Sequence, residues 1–496
     1  MLKRVLIVFV TAFLLFPTFS HAGSFGKDND PSGIPGQWYV GTTPSSVATS
    51  KHPVLFVHGL NSSSNTWWNE NNMYDTAYQN GYETAFIDLY PTKNMWDNGY
   101  LLSQKIRDMY NYFGEKVVIV AHSKGGIDTQ SALVHYGAYP YVARVITLST
   151  PHYGSQLADL AYSSSAGWLA DIMGSKSDAT YSLQTGYMQN FRSQTDNHAN
   201  VNKTNFYTLG GTKWGSFGSS LYWGGLYLRS YGSNDGAVTV SSSRLPYGTE
   251  LRVGDWNHTT IKTGSATFNL FKNYLNEASA YSATTLLAQN TDNDDQGVST
   301  FVRGGAAKGT KKESIYVESG ANSVTIDWIS DTKEPSLLIK DPTNNSHTTL
   351  FTTELDTEFF KGAYHHSVTI DHPAAGEWSI ESTTENTEHY LLHATFDSEL
   401  NHDLQFDISG EDVFVKDKKN KSKVKTDMTI EYYKNGKLKQ TKVKVKKNGE
   451  GYKIPKLGEG IYNMTLEIDG KDKNETFKRT VIKSVYVDQS GTIHFN

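Results

Sequence analysis

The sequence predicts an α/β domain built on a mainly parallel sheet, followed by two all-β, sandwich-like domains. From about residue 52 to residue 280, short apolar runs rich in β-branched residues alternate with segments of helical length. This alternation indicates buried parallel strands that are joined by helices. Beyond residue 280 the helical periods vanish, and short alternating runs separated by turn residues indicate antiparallel sheets.

The individual elements follow from these patterns. The predicted strands of the α/β domain are the runs at 54–57, 84–87, 117–120, 144–148 and 205–209. Apolar residues on one face of 100–112 predict a helix between two of these strands. The clearest strands of the all-β region are 323–328, 366–370, 429–433 and 464–468, with Asn435-Gly436 as a hairpin turn. We therefore expect domains at 23–280, 281–405 and 406–496.

The N-terminus has the pattern of a secretory signal peptide. Lys3 and Arg4 precede an apolar run from Val5 to Phe16, and a small-x-small pattern ends at Ala22. The run is short for a bilayer span, so a signal peptide over 1–22 is favoured over an uncleaved anchor. No later stretch is apolar enough to cross a membrane. The mature chain is therefore expected to be secreted, extracellular and soluble.

The chain lacks cysteine throughout, and the net charge of the last predicted domain differs from that of the rest. The chain has no cysteine, so large cores rather than disulfides must hold it together. Residues 411–496 carry 20 Lys and Arg against 12 Asp and Glu, a net charge of +8, whereas the remainder carries 26 against 39, a net charge of −13. A basic face is able to contact an anionic cell wall or lipid. Lysines that protect exposed sheet edges are the favoured alternative, and no nucleic-acid partner is expected.

The strongest chemical signal is the sequence Ala-His-Ser-Lys-Gly at 121–125. A buried strand runs into this turn and a helix follows it, which is the context of a nucleophile elbow. The turn is so tight that its flanking residues must be small, as Ala121 and Gly125 are. Ser123 is therefore predicted to be a nucleophile, served by a base, an orienting acid and oxyanion donors. The alternative is an unremarkable serine in a Gly-rich turn.

The order of nucleophile, acid and base along the chain narrows the other candidates. After the strand at 205–209, His258 is the one histidine before the all-β region, and it is the predicted base. Asp235, which lies in a Gly-flanked turn 23 residues earlier, is the predicted acid. Asp255 is the competitor, although its closeness to the histidine makes a facing geometry harder. Asp178 and Asp196 fall in a predicted cap insertion.

The oxyanion hole requires two backbone N–H groups. We expect one from Lys124, the residue after the nucleophile, and one from Leu60, where Gly59 lets the backbone turn inward. His58 precedes the nucleophile in the chain and is interpreted as a structural residue that orients this loop.

These motifs together resemble those of secreted Bacillus-type lipases and esterases of the α/β-hydrolase superfamily. The resemblance covers about residues 50–275 and rests on His-Gly-Leu at 58–60, the serine motif at 121–126, Thr-Pro-His-Tyr-Gly-Ser at 150–155, Asn-Asp-Gly at 234–236 and Asn-His at 257–258. It implies an α/β-hydrolase fold, a serine-dependent ester hydrolase and no cofactor. Many relatives have Met or Gln where this chain has Lys124, and a cation beside the nucleophile is able to alter the acyl pocket. No counterpart of those relatives' metal sites is found.

The substrate class remains more open than the mechanism. Residues 155–204 occupy the position of a lipase lid, and a mobile lid and a fixed cap are nearly equal alternatives for the apolar face formed by Leu157, Leu160, Trp168, Leu169 and Ile172. Acylglycerols are the leading substrate. The alternatives are a polyhydroxyalkanoate depolymerase and a surface-binding protein in which hydrolysis is incidental.

A structural calcium ion is a weaker hypothesis. The loop 292–297 is rich in oxygen ligands, but Arg303 stands where the distal Glu of a calcium loop would fall. A polar hinge is favoured there.

Overall fold

The computed structural model describes residues 33–48, 50–276, 297–347, 351–418, 423–448, 451–472 and 475–495. The predicted signal peptide at 1–22 lies outside the described residues. So does the candidate calcium loop, apart from Gly297.

A seven-stranded sheet forms the centre of the first region. Its strands are β1 (Trp38–Val40), β2 (Val54–Val57), β3 (Thr84–Ile87), β4 (Val117–His122), β5 (Val142–Leu148), β6 (Asn205–Gly211) and β7 (Thr249–Gly254). They lie in the order β1-β3-β2-β4-β5-β6-β7. Strand β1 is antiparallel to β3, and the other pairs are parallel. The five predicted strands are therefore present, and the α/β prediction is confirmed.

Helices cover both faces of this sheet because its strands are apolar on both sides. They are α1 (Met73–Gln79), α2 (Met95–Phe113), α3 (Lys124–Val134), α8 (Ser220–Leu228), α9 (Val240–Ser243) and α10 (Asn269–Phe271), with α4–α7 described below. Leu55 and Val57 of β2 pack on the side of α2, whereas Val54 and Phe56 pack on the side of α1 and α10. The Asn94 side chain accepts hydrogen bonds from two N–H groups in the first turn of α2.

The insertion between β5 and β6 forms four helices, α4 (Gln156–Ala161), α5 (Gly167–Ile172), α6 (Asp178–Ser182) and α7 (Thr185–Thr195). Leu157, Leu160 and Leu169 are buried in a cluster that includes residues of the later sheets. Ile172 is 50% exposed, and the Trp168 side chain lies outside the described part of the structure. Leu157, Leu160 and Leu169 of the predicted apolar face therefore pack against the all-β region.

The region after residue 297 is built from three sheets. The first has the order β11-β10-β14-β9-β13-β12, with β8 paired to β14. Its strands are β8 (Thr300–Val317), β9 (Ser323–Ser330), β10 (Ser336–Lys340), β11 (Ser346–His347), β12 (Thr352–Leu355), β13 (Tyr364–Asp371) and β14 (Gly376–Asp397). All of its pairs are antiparallel, as the alternating runs predict.

After the short helix α11 (Leu400–Asp403), two smaller sheets share one apolar core. Their orders are β15-β16-β20-β19 and β18-β17-β21-β22-β23. The strands are β15 (Leu404–Ser409), β16 (Asp412–Asp417), β17 (Lys423–Lys434), β18 (Lys437–Val445), β19 (Lys447–Asn448), β20 (Gly451–Lys453), β21 (Gly460–Asp472), β22 (Glu475–Val487) and β23 (Ile493–His494). The division into two sandwiches, and its domain boundaries, stays a prediction.

A buried carboxylate joins the α/β region to β22. Asp159 of α4 accepts hydrogen bonds from the Thr185 backbone N–H at 2.9 Å, the Thr185 hydroxyl at 2.7 Å and the Ser484 hydroxyl at 2.6 Å. Asn463 of β21 donates to the Asp159 carbonyl oxygen at 2.7 Å. Because each bond is shielded from water, the two regions meet in a defined register.

A second buried cluster shapes the loop between β12 and β13. His365 lies between Asp356, at 3.0 Å, and Asp327, at 3.3 Å. Burial lowers the pKa of His365, but the two carboxylates outweigh it and raise this pKa to about 10. Asp356 also accepts hydrogen bonds from the backbone N–H groups of Glu358 and Phe359, each at 2.8 Å. The cluster therefore fixes the start of the segment at 357–361.

This cluster predicts a pH-dependent stability. Because the folded state raises the pKa of His365 from 6.5 to about 10, its contribution is complete below pH 6.5 and is lost as the pH rises towards 10. We expect His365→Gln to lower the free energy of unfolding by about 3 kcal/mol near neutral pH, since the partner carboxylates lose their cation. Urea denaturation of both proteins from about pH 6 to pH 10 measures the difference, which should shrink as the pH rises.

The matched control is His389→Gln. His389 pairs with Asp331 at 2.6 Å, but both side chains are partly exposed, at 26% and 22%. We expect a loss below about 1 kcal/mol. A difference between the wild type and His365→Gln that does not vary with pH would contradict a charged His365.

Candidate active site

Ser123 occupies a strained turn between β4 and α3. Its backbone has φ 55° and ψ −134°, a conformation that L-residues rarely adopt. Two close approaches surround it: a Cβ on Gly125 would lie 2.3 Å from the His58 carbonyl oxygen, and a Cβ on Gly59 would lie 2.8 Å from the Ser123 Cβ. Glycine is therefore required at both positions, and the turn presents the serine hydroxyl at the end of the strand.

The structure brings the three predicted side chains together. His258 Nε2 is 3.0 Å from Ser123 Oγ, and His258 Nδ1 is 2.7 Å from Asp235 Oδ2. Since the carboxylate accepts from Nδ1–H, Nε2 is left to accept a proton from the serine. The Asp235 side chain is fully buried, whereas Ser123 and His258 line a cleft.

The turn at 235–238 explains why Asp235, and not Asp255, faces the histidine. Asp235 Oδ1 accepts hydrogen bonds from the backbone N–H groups of Ala237 and Val238, at 2.9 and 2.7 Å. Its carbonyl oxygen accepts from the His258 N–H at 3.0 Å. Asp255 is 81% exposed and lies 3.7 Å from Lys213. The competitor therefore points to solvent.

The predicted oxyanion donors lie on either side of the serine. Leu60 follows the glycine that abuts Ser123, and Lys124 is the first residue of α3. Among the described residues, neither backbone N–H has a hydrogen-bond partner in the protein. The Asn61 N–H, in contrast, donates to the Pro91 carbonyl oxygen at 3.0 Å and holds the loop.

The Lys124 side chain does not line the cleft beside Ser123, so its charge is not placed to alter an acyl pocket there. Its Nζ lies 2.6 Å from Asp128 Oδ1, one turn along α3, and both side chains are buried. Asn98 of α2 donates to Asp128 Oδ2 at 3.0 Å. The i,i+4 spacing turns the lysine along the helix, and burial leaves the pair no alternative partner in water. The pair ties the first turn of α3 to α2.

Two further histidines support the site in their neutral forms. His58 Nε2 accepts from the Leu89 N–H at 2.9 Å, and its Nδ1 lies 2.9 Å from the Gly59 carbonyl oxygen. Burial lowers the pKa of His58 to about 4. His122 Nε2 donates to the His258 carbonyl oxygen at 2.8 Å, and burial together with the charge of His258 lowers its pKa. His58 thus holds the Leu60 loop, as expected; the sequence analysis did not anticipate the role of His122.

The cleft beside Ser123 has a volume of about 270 Å³ and is lined by both apolar and polar residues. One wall comes from the α/β region, including Leu157, Leu183 and Trp223. The opposite wall is residues 357–361, which we call the cleft segment. Phe359 and Phe360 each lie 5.7 Å from the Trp223 ring. Trp223 is therefore part of the surface that contacts the later sheets.

Hydrogen bonds hold the cleft segment along its length. The Thr357 N–H donates to Ser220 Oγ at 3.1 Å, Ser175 Oγ donates to the Phe359 carbonyl oxygen at 2.5 Å, and Lys361 Nζ donates to the Asn61 carbonyl oxygen at 3.2 Å. The sequence analysis missed this segment. The one signal in the sequence is a pair of adjacent phenylalanines in a polar turn. This pair indicates that the turn is buried, but it does not indicate which surface the turn packs against.

Within the described parts of the chain, no group of three or more His, Cys, Asp or Glu residues is arranged to hold a metal ion. No helix among the described residues is long and apolar enough to cross a membrane.

Comparison with known proteins identifies the family. Residues 100–165 match the model of a PGAP1-like alpha/beta domain. The crystal structure of the Bacillus licheniformis lipase BlEst2 in its propeptide form is 42% identical, with a TM-score of 0.82, and the match covers 94% of this chain and 100% of that one. The mature form of the same lipase is 57% identical over 49% of this chain and 100% of its own, with a TM-score of 0.48.

A yeast enzyme matches a shorter stretch. Triacylglycerol lipase 2 of Saccharomyces cerevisiae is 32% identical over 130 residues, which are 25% of this chain and 40% of the yeast protein. The chain thus spans less than half the length of that relative. The match to the Bacillus licheniformis lipase, in contrast, extends over all of its chain. The protein therefore belongs to the Bacillus-type lipase and esterase family of α/β-hydrolases, and it is a carboxylic ester hydrolase.

Proposed function

We propose that this chain is a secreted serine ester hydrolase in which Ser123, His258 and Asp235 form a catalytic triad. The supporting observation is the continuous line of hydrogen-bonding distances, 3.0 Å from Ser123 to His258 and 2.7 Å from His258 to Asp235. Secretion rests on the signal-peptide pattern that ends at Ala22.

The mechanism is acyl transfer. His258 takes the hydroxyl proton as Ser123 Oγ attacks the ester carbonyl carbon, and Asp235 stabilises the resulting imidazolium. The N–H groups of Leu60 and Lys124 hold the oxyanion. The alcohol leaves with the proton from His258. Water, activated by the same histidine, then attacks the acyl-enzyme, and the acid and free Ser123 are released.

Acylglycerols are the substrate class that we favour. The cleft is lined by apolar side chains such as Leu157 and Leu183, which suit an acyl chain. The relatives are a lipase of Bacillus licheniformis and a triacylglycerol lipase of yeast.

The nucleophile is tested with Ser123→Ala. We expect hydrolysis of p-nitrophenyl butyrate, p-nitrophenyl palmitate and tributyrin to fall by about 10⁴-fold or more, because no other group accepts the acyl chain. Ser193→Ala, an exposed serine on α7, is the control and should keep full activity. Activity that survives in Ser123→Ala would rule out this nucleophile.

Release of hydroxyacids from polyhydroxybutyrate granules, with poor tributyrin turnover, would instead indicate that the natural substrate is a polyester. N-terminal sequencing of protein recovered from the culture medium tests whether the signal peptide is cleaved after Ala22.

The acid is tested by a matched pair of variants. Asp235→Asn should lower kcat by about 10⁴-fold, because an amide favours the wrong tautomer of His258. Asp255→Asn makes the same chemical change at the exposed competitor and should leave kcat within about twofold, since surface substitutions perturb little. Steady-state kinetics on p-nitrophenyl butyrate measures both. If Asp255→Asn lowered kcat more than Asp235→Asn did, the acid of the triad would be Asp255.

We further propose that the all-β region acts as a propeptide that covers the cleft. The Bacillus licheniformis relative is described in a propeptide form. In this chain the proposal is supported by the cleft segment, which lines the same cavity as Ser123 and His258 and is bonded to Ser175, Ser220 and Asn61. A substrate must displace this segment before it reaches the serine.

The covering role predicts an activating substitution. Phe359→Ala/Phe360→Ala removes the two rings that pack on Trp223, so the segment should leave the cleft more often. We expect kcat/KM for p-nitrophenyl butyrate to rise about tenfold or more, since each 1.4 kcal/mol lost from the closed state is a factor of ten in its population. Leu355→Ala, at an exposed position of β12, is the control. An unchanged or lower kcat/KM in the double variant would contradict covering by this segment.

A further inference from the structure

One charged side chain of the α/β region lines the cleft. Lys262 ends the turn Thr260–Lys262, four residues after His258, and faces the same cavity as Ser123. Among the described lining residues, the other Lys, Arg, Asp or Glu side chains are Glu358 and Lys361, both of the cleft segment. When that segment is displaced, Lys262 alone sets the charge of the cleft.

The fold does not require this charge. The turn is anchored through its backbone, because the Lys262 carbonyl oxygen accepts from Asn71 Nδ2 at 3.1 Å. The Lys262 ammonium has three N–H donors, and among the described residues it donates one hydrogen bond, to Thr66 Oγ1 at 2.5 Å. A neutral amide would satisfy that hydroxyl equally well.

The charge of Lys262 interacts with other ionisable groups around the cleft. Burial lowers the pKa of Lys262, Glu358 raises it and Lys361 lowers it. Lys262 is also among the smaller causes that lower the pKa of His58 and of His122, for both of which burial is the largest cause. A partly desolvated cation that lines the same cavity as the serine attracts an anion more strongly than a surface lysine does.

Glu358 indicates which anion suits this position. Glu358 lines the same cavity as Lys262, and its charge raises the pKa of Lys262, which is a favourable interaction. No salt bridge joins these two described side chains, so a direct ion pair with Glu358 does not neutralise the Lys262 ammonium. A substrate that carries its own carboxylate gains this attraction once the segment leaves.

We infer that Lys262 is a specificity-determining residue that favours esters bearing a carboxylate close to the scissile bond, in a position that Glu358 approaches in the covered cleft. The inference rests on the proposed function and adds a substrate class to it. Glycerides are neutral and gain no attraction from Lys262. Partial esters of dicarboxylic acids, and ester oligomers with a terminal carboxylate, are attracted to it.

The test compares charged and neutral esters of matched shape with the full chain. On the acyl side these are mono-(4-nitrophenyl) glutarate and its methyl ester, and on the alcohol side 4-butyryloxybenzoate and its methyl ester. The measured quantity is the ratio of kcat/KM for the charged ester to that for the neutral one, normalised by active-site titration. Lys262→Gln keeps a donor for Thr66 without the charge, and Lys262→Arg keeps the charge. Lys213→Gln removes an exposed cation from the loop after β6 and is the control.

We expect Lys262→Gln to lower this ratio about tenfold for at least one ester pair, because a hydrogen bond to a charged group is lost. Lys262→Arg should retain most of the preference, Lys213→Gln should retain all of it, and added salt should reduce it in the wild type. An equal ratio in Lys262→Gln and wild type, with neutral esters still hydrolysed through Ser123, overturns the inference and leaves the proposed function intact. Failure of both the folded chain and its Phe359→Ala/Phe360→Ala variant to hydrolyse any of the four esters overturns both.

Discussion

The left-handed backbone at Ser123 is the constraint on which the rest of the site depends. Such a conformation costs about 1–3 kcal/mol for a residue with a side chain, so its surroundings must hold it. Strand β4 is fully buried before the turn, α3 is buried along its whole length after it, and Gly59 and Gly125 allow two backbone segments to close upon it. The buried pair of Lys124 and Asp128 then secures the first turn of α3. The oxyanion donors and the serine hydroxyl take their positions from this one turn.

Much of the site could be predicted because its parts follow predicted strands. The carboxyl ends of parallel strands meet at one edge of a sheet, so motifs that lie far apart in the chain converge there. Leu60 follows β2, Ser123 follows β4 and His258 follows β7, and Asp235 lies in the segment between β6 and β7. The direction of the Lys124 side chain was not predicted, although Asp128 at the i+4 position carried the signal. A motif defines the backbone at this position, whereas helix neighbours and burial decide where the side chain goes.

The cleft segment lay beyond sequence reasoning for a physical reason. It reaches the site through contacts between residues that are far apart in the chain, such as Lys361 with Asn61 and Thr357 with Ser220. Local patterns predicted strands at 323–328 and 366–370, on either side of it, and the corresponding strands β9 and β13 are present. They did not predict how the sheet is placed against the α/β region. The same limit applies to α4 and α5, because an amphipathic pattern gives the apolar face but not the surface that covers it.

The proposed covering of the cleft is strong enough to keep the cleft segment in place most of the time and weak enough to be reversed. The three hydrogen bonds of the cleft segment each contribute about 1 kcal/mol net, and the rings of Phe359 and Phe360 add burial against Trp223. A total of a few kcal/mol keeps a segment in place most of the time without locking it. The apolar faces of α4 and α5 depend on the same sheets for their burial, since Leu157, Leu160 and Leu169 share a cluster with Ile329 and Ile482. Removing the sheets would therefore expose, around the opened cleft, the kind of apolar surface that binds lipid aggregates. In the proposed covering role, one interface thus controls both access to Ser123 and the surface that a water-insoluble ester would meet.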